Sequence, residues 1–151
     1  MSRDRVFLDA NVLFSAAYRA DAGLSRLFRL RRCTLVTSDY AVEEAVRNLP
    51  DPAQRARLDV LLERVTLVCG TFDNVPLPTG VALPDDDLPI LRAAMAARCT
   101  HLATGNLRHF GRHLGTRVGG VLIVRPATYL AARRACAHAP HLPFTGSTSD
   151  E

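Results

Sequence analysis

The chain has 151 residues, 48% of them hydrophobic and 23% charged, values that suit one globular domain with a sizeable core. Its net charge is +4 and all 19 positions counted as lysine or arginine are arginine, so P-loop nucleotide binding, Schiff-base formation and lysine-dependent phosphotransfer are excluded for this chain acting alone. No apolar run reaches bilayer length and no basic-then-apolar leader opens the sequence, which predicts a cytoplasmic location and no membrane partner.

Residues 5–9 read as a short buried strand. Residues 11–19 and 24–32 read as helices, the second from Leu24, Leu27, Phe28 and Leu30 near helical spacing. A second strand is predicted over 33–37, and Ser38 or Asp39 caps a helix that runs to Leu49. Pro50 ends that helix, and Asp51-Pro52 starts another that reaches about Arg64. Residues 65–68 form a third strand, and 70–82 are a linker rich in proline and glycine. A helix over 86–98 and a strand over 101–103 follow, then a stretch, 105–120, that is mostly loop with a short turn. Residues 121–124 are a fifth strand and 126–137 a closing helix with proline in its first turn. From His138 onward Pro, His, Ser, Thr and Gly dominate, which predicts one domain over 1–137 and a disordered tail over 138–151. Strands alternating with helices predict an α/β fold of three layers, α/β/α, around a parallel sheet of roughly five strands.

Polar side chains collect where strands meet helices. Asp9 and Asn11 break the apolar run of the first strand, Asp85, Asp86 and Asp87 precede a helical pattern, and Thr104-Gly105-Asn106 ends a short strand. In an open parallel sheet, ligand sites gather at the carboxyl ends of the strands, so these tips converge if they share one sheet. Taken singly, each has an ordinary reading: Asp9 and Asn11 as caps, Glu44 as a solvated helix residue, Asp85 to Asp87 as a cap with favourable dipole charge, Asn106 as a turn residue. If the strand-end tips of Asp9, Asn11, Asp85 to Asp87 and Asn106 share one sheet, they could hold a divalent cation, because carboxylates brought close repel one another unless a cation or a proton neutralises them. Mg²⁺ favours such hard oxygen ligands and a metal-activated water attacks phosphodiesters. The scattered Cys33, Cys69, Cys99 and Cys136 suggest neither zinc nor disulfides. Arginine suits phosphate, and a modest positive charge around an acidic pocket fits a nucleic-acid partner without establishing one.

The segments Phe7-Leu8-Asp9-Ala10-Asn11-Val12-Leu13, Thr37 through Leu49 with Glu44, Asp87-Leu88-Pro89-Ile90-Leu91, and Thr104-Gly105-Asn106-Leu107-Arg108-His109-Phe110 resemble, in order, the motifs of the PIN domain, the metal-dependent ribonuclease fold of VapC-type toxins. The resemblance covers nearly the whole ordered chain. It implies catalytic residues Asp9, Glu44, Asp87 and Asn106, with Asp9, Glu44 and Asp87 holding Mg²⁺ or Mn²⁺ in reach of one point. Glu44 fits its place better than Glu43, and Asp87 better than Asp85 or Asp86, which are expected further out. Where Asn106 stands many relatives carry Asp; asparagine offers a carbonyl but no charge. The implied function is a Mg²⁺- or Mn²⁺-dependent endoribonuclease acting on an RNA substrate. It would be the toxin of a toxin–antitoxin pair, with a cognate antitoxin for which Phe14, Tyr18, Leu24 and Phe28 are the candidate surface, a core reading of those residues standing equally open, and with a homodimer as a further option. Arg108, His109 and Arg112 are placed to meet RNA phosphate. The alternative is a non-catalytic RNA- or partner-binding domain on the same fold. A haloacid-dehalogenase-like phosphatase fits less well, since it needs a second Asp at Asn11 and a lysine. The RNA target, the antitoxin and the number of metal ions stay open.

Overall fold

The computed structural model of the chain describes residues 3–137, so the expected tail over 138–151 lies outside the described residues. The strands are β1 Asp4–Leu8, β2 Cys33–Ser38, β3 Val65–Val68, β4 His101–Ala103, β5 Arg117–Val118 and β6 Val121–Val124. The helices are α1 Ala10–Tyr18, α2 Asp39–Asn48, α3 Pro52–Leu62, α4 Leu88–Ala96, α5 Leu107–Phe110 and α6 Pro126–Ala137, with 3₁₀ segments at Gly23–Arg29 and Gly111–His113. The strands join one sheet in the order β3-β2-β1-β4-β6-β5, parallel throughout except for the β5–β6 pair. Among the described residues no helix is long and apolar enough to cross a membrane.

The central strand explains the layering. Val6, Phe7 and Leu8 of β1 are all fully buried, so both faces of the sheet are covered, as an unbroken apolar run demands. On the helical side α1 packs against α2, α3 and the Gly23–Arg29 segment, while α4 packs on β2 and β4. The result is a three-layer α/β/α fold. The chain passes from β1 outward to β2 and β3, then returns to place β4 and β6 on the other flank of β1. That reversal opens a crevice beyond the carboxyl ends of β1 and β4. The register pairs Leu8 with Ala103, which sets Asp9 and Thr104 side by side at its floor. The Asp9 amide donates to the Ala103 carbonyl at 3.1 Å and fixes that alignment.

The sheet has six strands rather than about five, and its sixth runs antiparallel. The stretch over 105–120 holds α5, a 3₁₀ turn and β5 where mostly loop was expected. Gly119 and Gly120, at φ 58° and 82°, form a two-residue hairpin turn between β5 and β6. Two successive positive φ values suit the right-handed twist of the flanking strands, and glycine reaches them without strain. The expected helix over 24–32 is a 3₁₀ segment that stops at Arg29. Its i→i+3 bonds, Ser25 to Ala22 and Leu30 to Leu27, close a tighter turn than an α-helix. The linker over 70–82 has no regular structure, yet Phe72, Leu77 and Val81 pack against the core.

Helices α2 and α3 each start on a side-chain cap. The Ser38 hydroxyl accepts from the Ala41 amide at 3.2 Å and starts α2, the helix that carries Glu44. Asp51 and Gln54 form a reciprocal capping box that starts α3 behind Pro50. We expect Ser38→Ala to cost about 1 kcal/mol, since it strips one orphan amide of its acceptor at a buried position. Urea unfolding of the two proteins measures it, and equal midpoints would remove the cap from the account.

Candidate active site

The crevice holds a cavity of about 510 Å³ lined by Asp9, Ala10, Asn11, Phe14, Glu44, Asn48, Asp87 and Asn106. All four residues expected at the site line it. They arrive from four elements: the end of β1, the middle of α2, the entry to α4 and the turn after β4.

Asp9 is 4% exposed and does two jobs at once. Its Oδ1 accepts from the Ala10 amide at 2.7 Å and caps α1. Its Oδ2 accepts from Thr104 Oγ1 at 2.8 Å and from Asn11 Nδ2 at 3.1 Å. The capping reading of Asp9 is therefore correct and does not compete with a place in the cavity, because one oxygen serves each. Thr104, fully buried, is the hub: its hydroxyl also accepts from the Asn106 amide at 3.1 Å. Asn11 Oδ1 takes the Gly105 amide at 2.7 Å. A Cβ on Gly105 would stand 3.2 Å from that same oxygen, so the turn uses glycine for close approach.

Asp87 is buried, whereas Asp85 and Asp86 are exposed, as expected of the three. It occupies the N-cap position of α4 but makes no side-chain cap bond, which leaves its carboxylate to the cavity. No hydrogen-bond donor other than His109 Nδ1, at 2.6 Å, reaches its buried Oδ2. A carboxylate oxygen and a ring nitrogen that close require a proton between them. The neighbouring Asn106 amide is 2.9 Å from the same ring nitrogen, and Asn106 Oδ1 accepts from the His109 backbone at 3.3 Å, capping α5. Asn106 is thus a turn residue as well as a cavity residue. Glu44 is half-buried and its neighbour Glu43 exposed, which supports the choice between them.

Two residues at the site, Asn48 and Tyr40, carried no assigned part in the sequence reading, and a third, His109, has a different one. Asn48 sits one helical turn after Glu44 and donates to its carbonyl at 2.9 Å, a spacing of four that places both on one face. Tyr40 Oη donates to the Asp86 carbonyl at 3.0 Å and ties the start of α2 to the loop that presents Asp87. His109, read as a phosphate contact, instead holds Asp87; Arg108 and Arg112 remain exposed beside it. Of the residues open to either a partner surface or the core, Phe28 is 4% exposed and belongs to the core, while Tyr18 is 48% exposed.

Burial pushes the Asp9 carboxyl above the ordinary carboxylate range, against the pull of the Thr104 and Ala10 bonds, and the charge on Asp87 adds to the rise. Burial likewise raises Glu44, helped by Asp9 and Asp87. Asp87 is also raised by burial, with the His109 contact working the other way. Three acids raised together mark a cavity that resists full ionisation. Among the described residues no three His, Cys, Asp or Glu side chains stand close enough around one point to hold a metal ion. The donor set still suits a hard cation, being carboxylate and amide oxygens without sulfur, and Mg²⁺ takes only one or two direct carboxylates.

A raised folded-state pKa means the native chain holds these protons more tightly than the unfolded one. The native state is therefore penalised once the acids ionise, and stability falls as pH rises. The loss begins near the unfolded values of about 4 and is complete above the raised folded values. Urea midpoints in EDTA across about pH 4 to 8 should decline over that window, and less steeply in Asp9→Asn. A rise with pH through the same window would contradict this electrostatic picture.

Neither a protein-family model nor a curated protein sequence matches the chain. Among solved structures it is similar to a chain in the crystal structure of VapBC2 from Rickettsia felis bound to a DNA fragment from their promoter. The match has a TM-score of 0.59 and 17% identity, and covers 80% of this chain and 98% of that one. At that identity the likeness is one of fold, and it agrees with a PIN-like three-layer α/β/α arrangement.

Proposed function

We propose that the protein is a Mg²⁺- or Mn²⁺-dependent endoribonuclease acting as the toxin of a toxin–antitoxin pair. The observation that carries this reading is the convergence of Asp9, Glu44, Asp87 and Asn106 on one cavity at the sheet's switch point. The likeness to a chain of a VapBC complex supports the toxin side of it.

Asp9 and Asp87 would hold the cation, and Glu44 would join them directly or through water; when bound, the cation would activate water and offset charge on a phosphodiester. The chain's own residues supply the rest. Thr104 and Asn11 aim Asp9 Oδ2 into the cavity, since each donates to it. His109 fixes the rotamer of Asp87. Asn106, neutral where an acid would add repulsion, keeps an amide at the rim. Glu44, half-buried at the cavity and raised by burial and by Asp9 and Asp87, is the acid of the three with open access to solvent.

The partner would be a small antitoxin, proposed on the same likeness, and a homodimer is compatible with it. An acidic cavity favours an inserted basic side chain. Incubating the purified chain with a panel of RNAs, with Mn²⁺ and with EDTA, tests the function. Metal-dependent cleavage supports it. No cleavage by the free chain, with RNA still bound, would favour the alternative of a non-catalytic RNA-binding domain.

A further inference from the structure

A second groove, of about 660 Å³, opens where α1 meets the Gly23–Arg29 segment and α6. It adjoins the acidic cavity, with Phe14 lining both. Its wall carries Arg19, Arg26 and Arg134 and no acidic residue. Among the described residues the side chains of Arg19 and Arg26 make no hydrogen bond or ion pair, so their charge is not already spent inside the protein. The floor is aromatic. Phe14 and Tyr18 stand one helical turn apart on α1 with ring centroids 5.3 Å apart, and Tyr18 is 48% exposed.

We infer that this groove is the track along which single-stranded RNA reaches the acidic cavity, with Tyr18 stacking a base and Arg19 and Arg26 gripping phosphate. The inference rests on the ribonuclease reading and names the path of its substrate. Acidic cavity and arginine groove are opposite in sign and adjacent. A polyanion cannot lie across carboxylates unaided, so the holding charge must come from beside them. An exposed aromatic ring among arginines is the arrangement that binds single strands without reading sequence, since every base offers a face to stack. The nine residues of α1 rise ~13 Å between the two ends, roughly four nucleotides at duplex-like spacing. A duplex offers no unstacked base to Tyr18, which makes the groove selective for single strands.

The test is fluorescence anisotropy with a labelled single-stranded RNA 12-mer in EDTA, where nothing is cleaved. Tyr18→Ala and the double variant Arg19→Ala/Arg26→Ala should each weaken binding about tenfold, and the double variant should lower the salt slope by about 1.4, roughly 0.7 for each phosphate contact on a single strand. Arg55→Ala/Arg117→Ala removes the same charge from residues outside the groove and should change binding less than about twofold. Circular dichroism melts confirm that each variant folds. Wild-type binding by folded groove variants overturns the track, and leaves the ribonuclease reading intact if they still cleave with Mn²⁺. Tight binding that the groove variants weaken, with no cleavage by the native chain in Mn²⁺, defeats the ribonuclease reading and leaves the groove as an RNA-binding face only. If Tyr18→Ala instead splits a dimer on size exclusion while binding RNA normally, the face belongs between copies and the track is lost.

Discussion

Asp9→Asn should lower RNA cleavage by about 10²- to 10³-fold while the protein stays folded. The substitution is nearly isosteric, and asparagine caps a helix as well as aspartate does, so Oδ1 keeps the Ala10 amide. The new amide group then faces Thr104 and Asn11, where two donors had met one oxygen. Thr104 can turn its hydroxyl to accept, but Asn11 Nδ2 loses its shorter bond and keeps only Thr104 Oγ1 at 3.4 Å, at a cost of up to about 1 kcal/mol. Against this stands relief from a buried charge that burial and Asp87 both oppose. At neutral pH the balance favours a variant as stable as the native chain or more so. The native chain should gain melting temperature with Mn²⁺ and the variant should not, because its cavity has lost a charge that draws the ion. A variant that keeps the full Mn²⁺ shift and cleaves RNA would remove Asp9 from the proposed ligands.

The fold was legible where hydrophobic pattern and punctuation agree. Strands β3, β4 and β6 lie where the sequence placed them, because each is a short apolar run closed by a polar or glycine turn. The hairpin strand β5 was lost for an opposite reason: with two residues it has no period to detect. Its one signal was the Gly-Gly pair before Val121, which marks a tight hairpin turn once Arg117-Val118 is allowed to be a strand. The site divides in the same manner. Asp9 and Asn106 could be placed because strand ends converge in any parallel sheet, whereas Glu44 and the choice of Asp87 among three aspartates came from the resemblance to PIN motifs, since Glu44 alone reads as a solvated helix residue. The 2.6 Å contact between Asp87 and His109 had no signal, since it joins side chains from two loops whose approach only the packed sheet decides. Phe28, open in the sequence to either a partner surface or the core, falls to the core, because the fold packs the 3₁₀ segment against α1.

Glu44→Gln and Glu43→Gln form the sharper pair, because they remove the same charge one residue apart. Adjacent helix positions are about 100° apart around the axis, so only one of the two can enter the cavity. That one is Glu44: it lines the cavity, it is half-buried, and its carboxyl is raised by burial and by Asp9 and Asp87. Glu43 is exposed. Glutamine keeps the length and the helix propensity of glutamate, so neither change should move stability beyond about 0.5 kcal/mol through the helix itself. We therefore expect cleavage to drop about 10²-fold in Glu44→Gln and to stay within about twofold in Glu43→Gln. The first variant should also melt higher in EDTA, since it relieves repulsion with Asp9 and Asp87. The two readouts separate chemistry from folding: a variant that is more stable and less active has lost a group the reaction needs. Equal cleavage by both variants would place the second acid elsewhere and detach α2 from the mechanism.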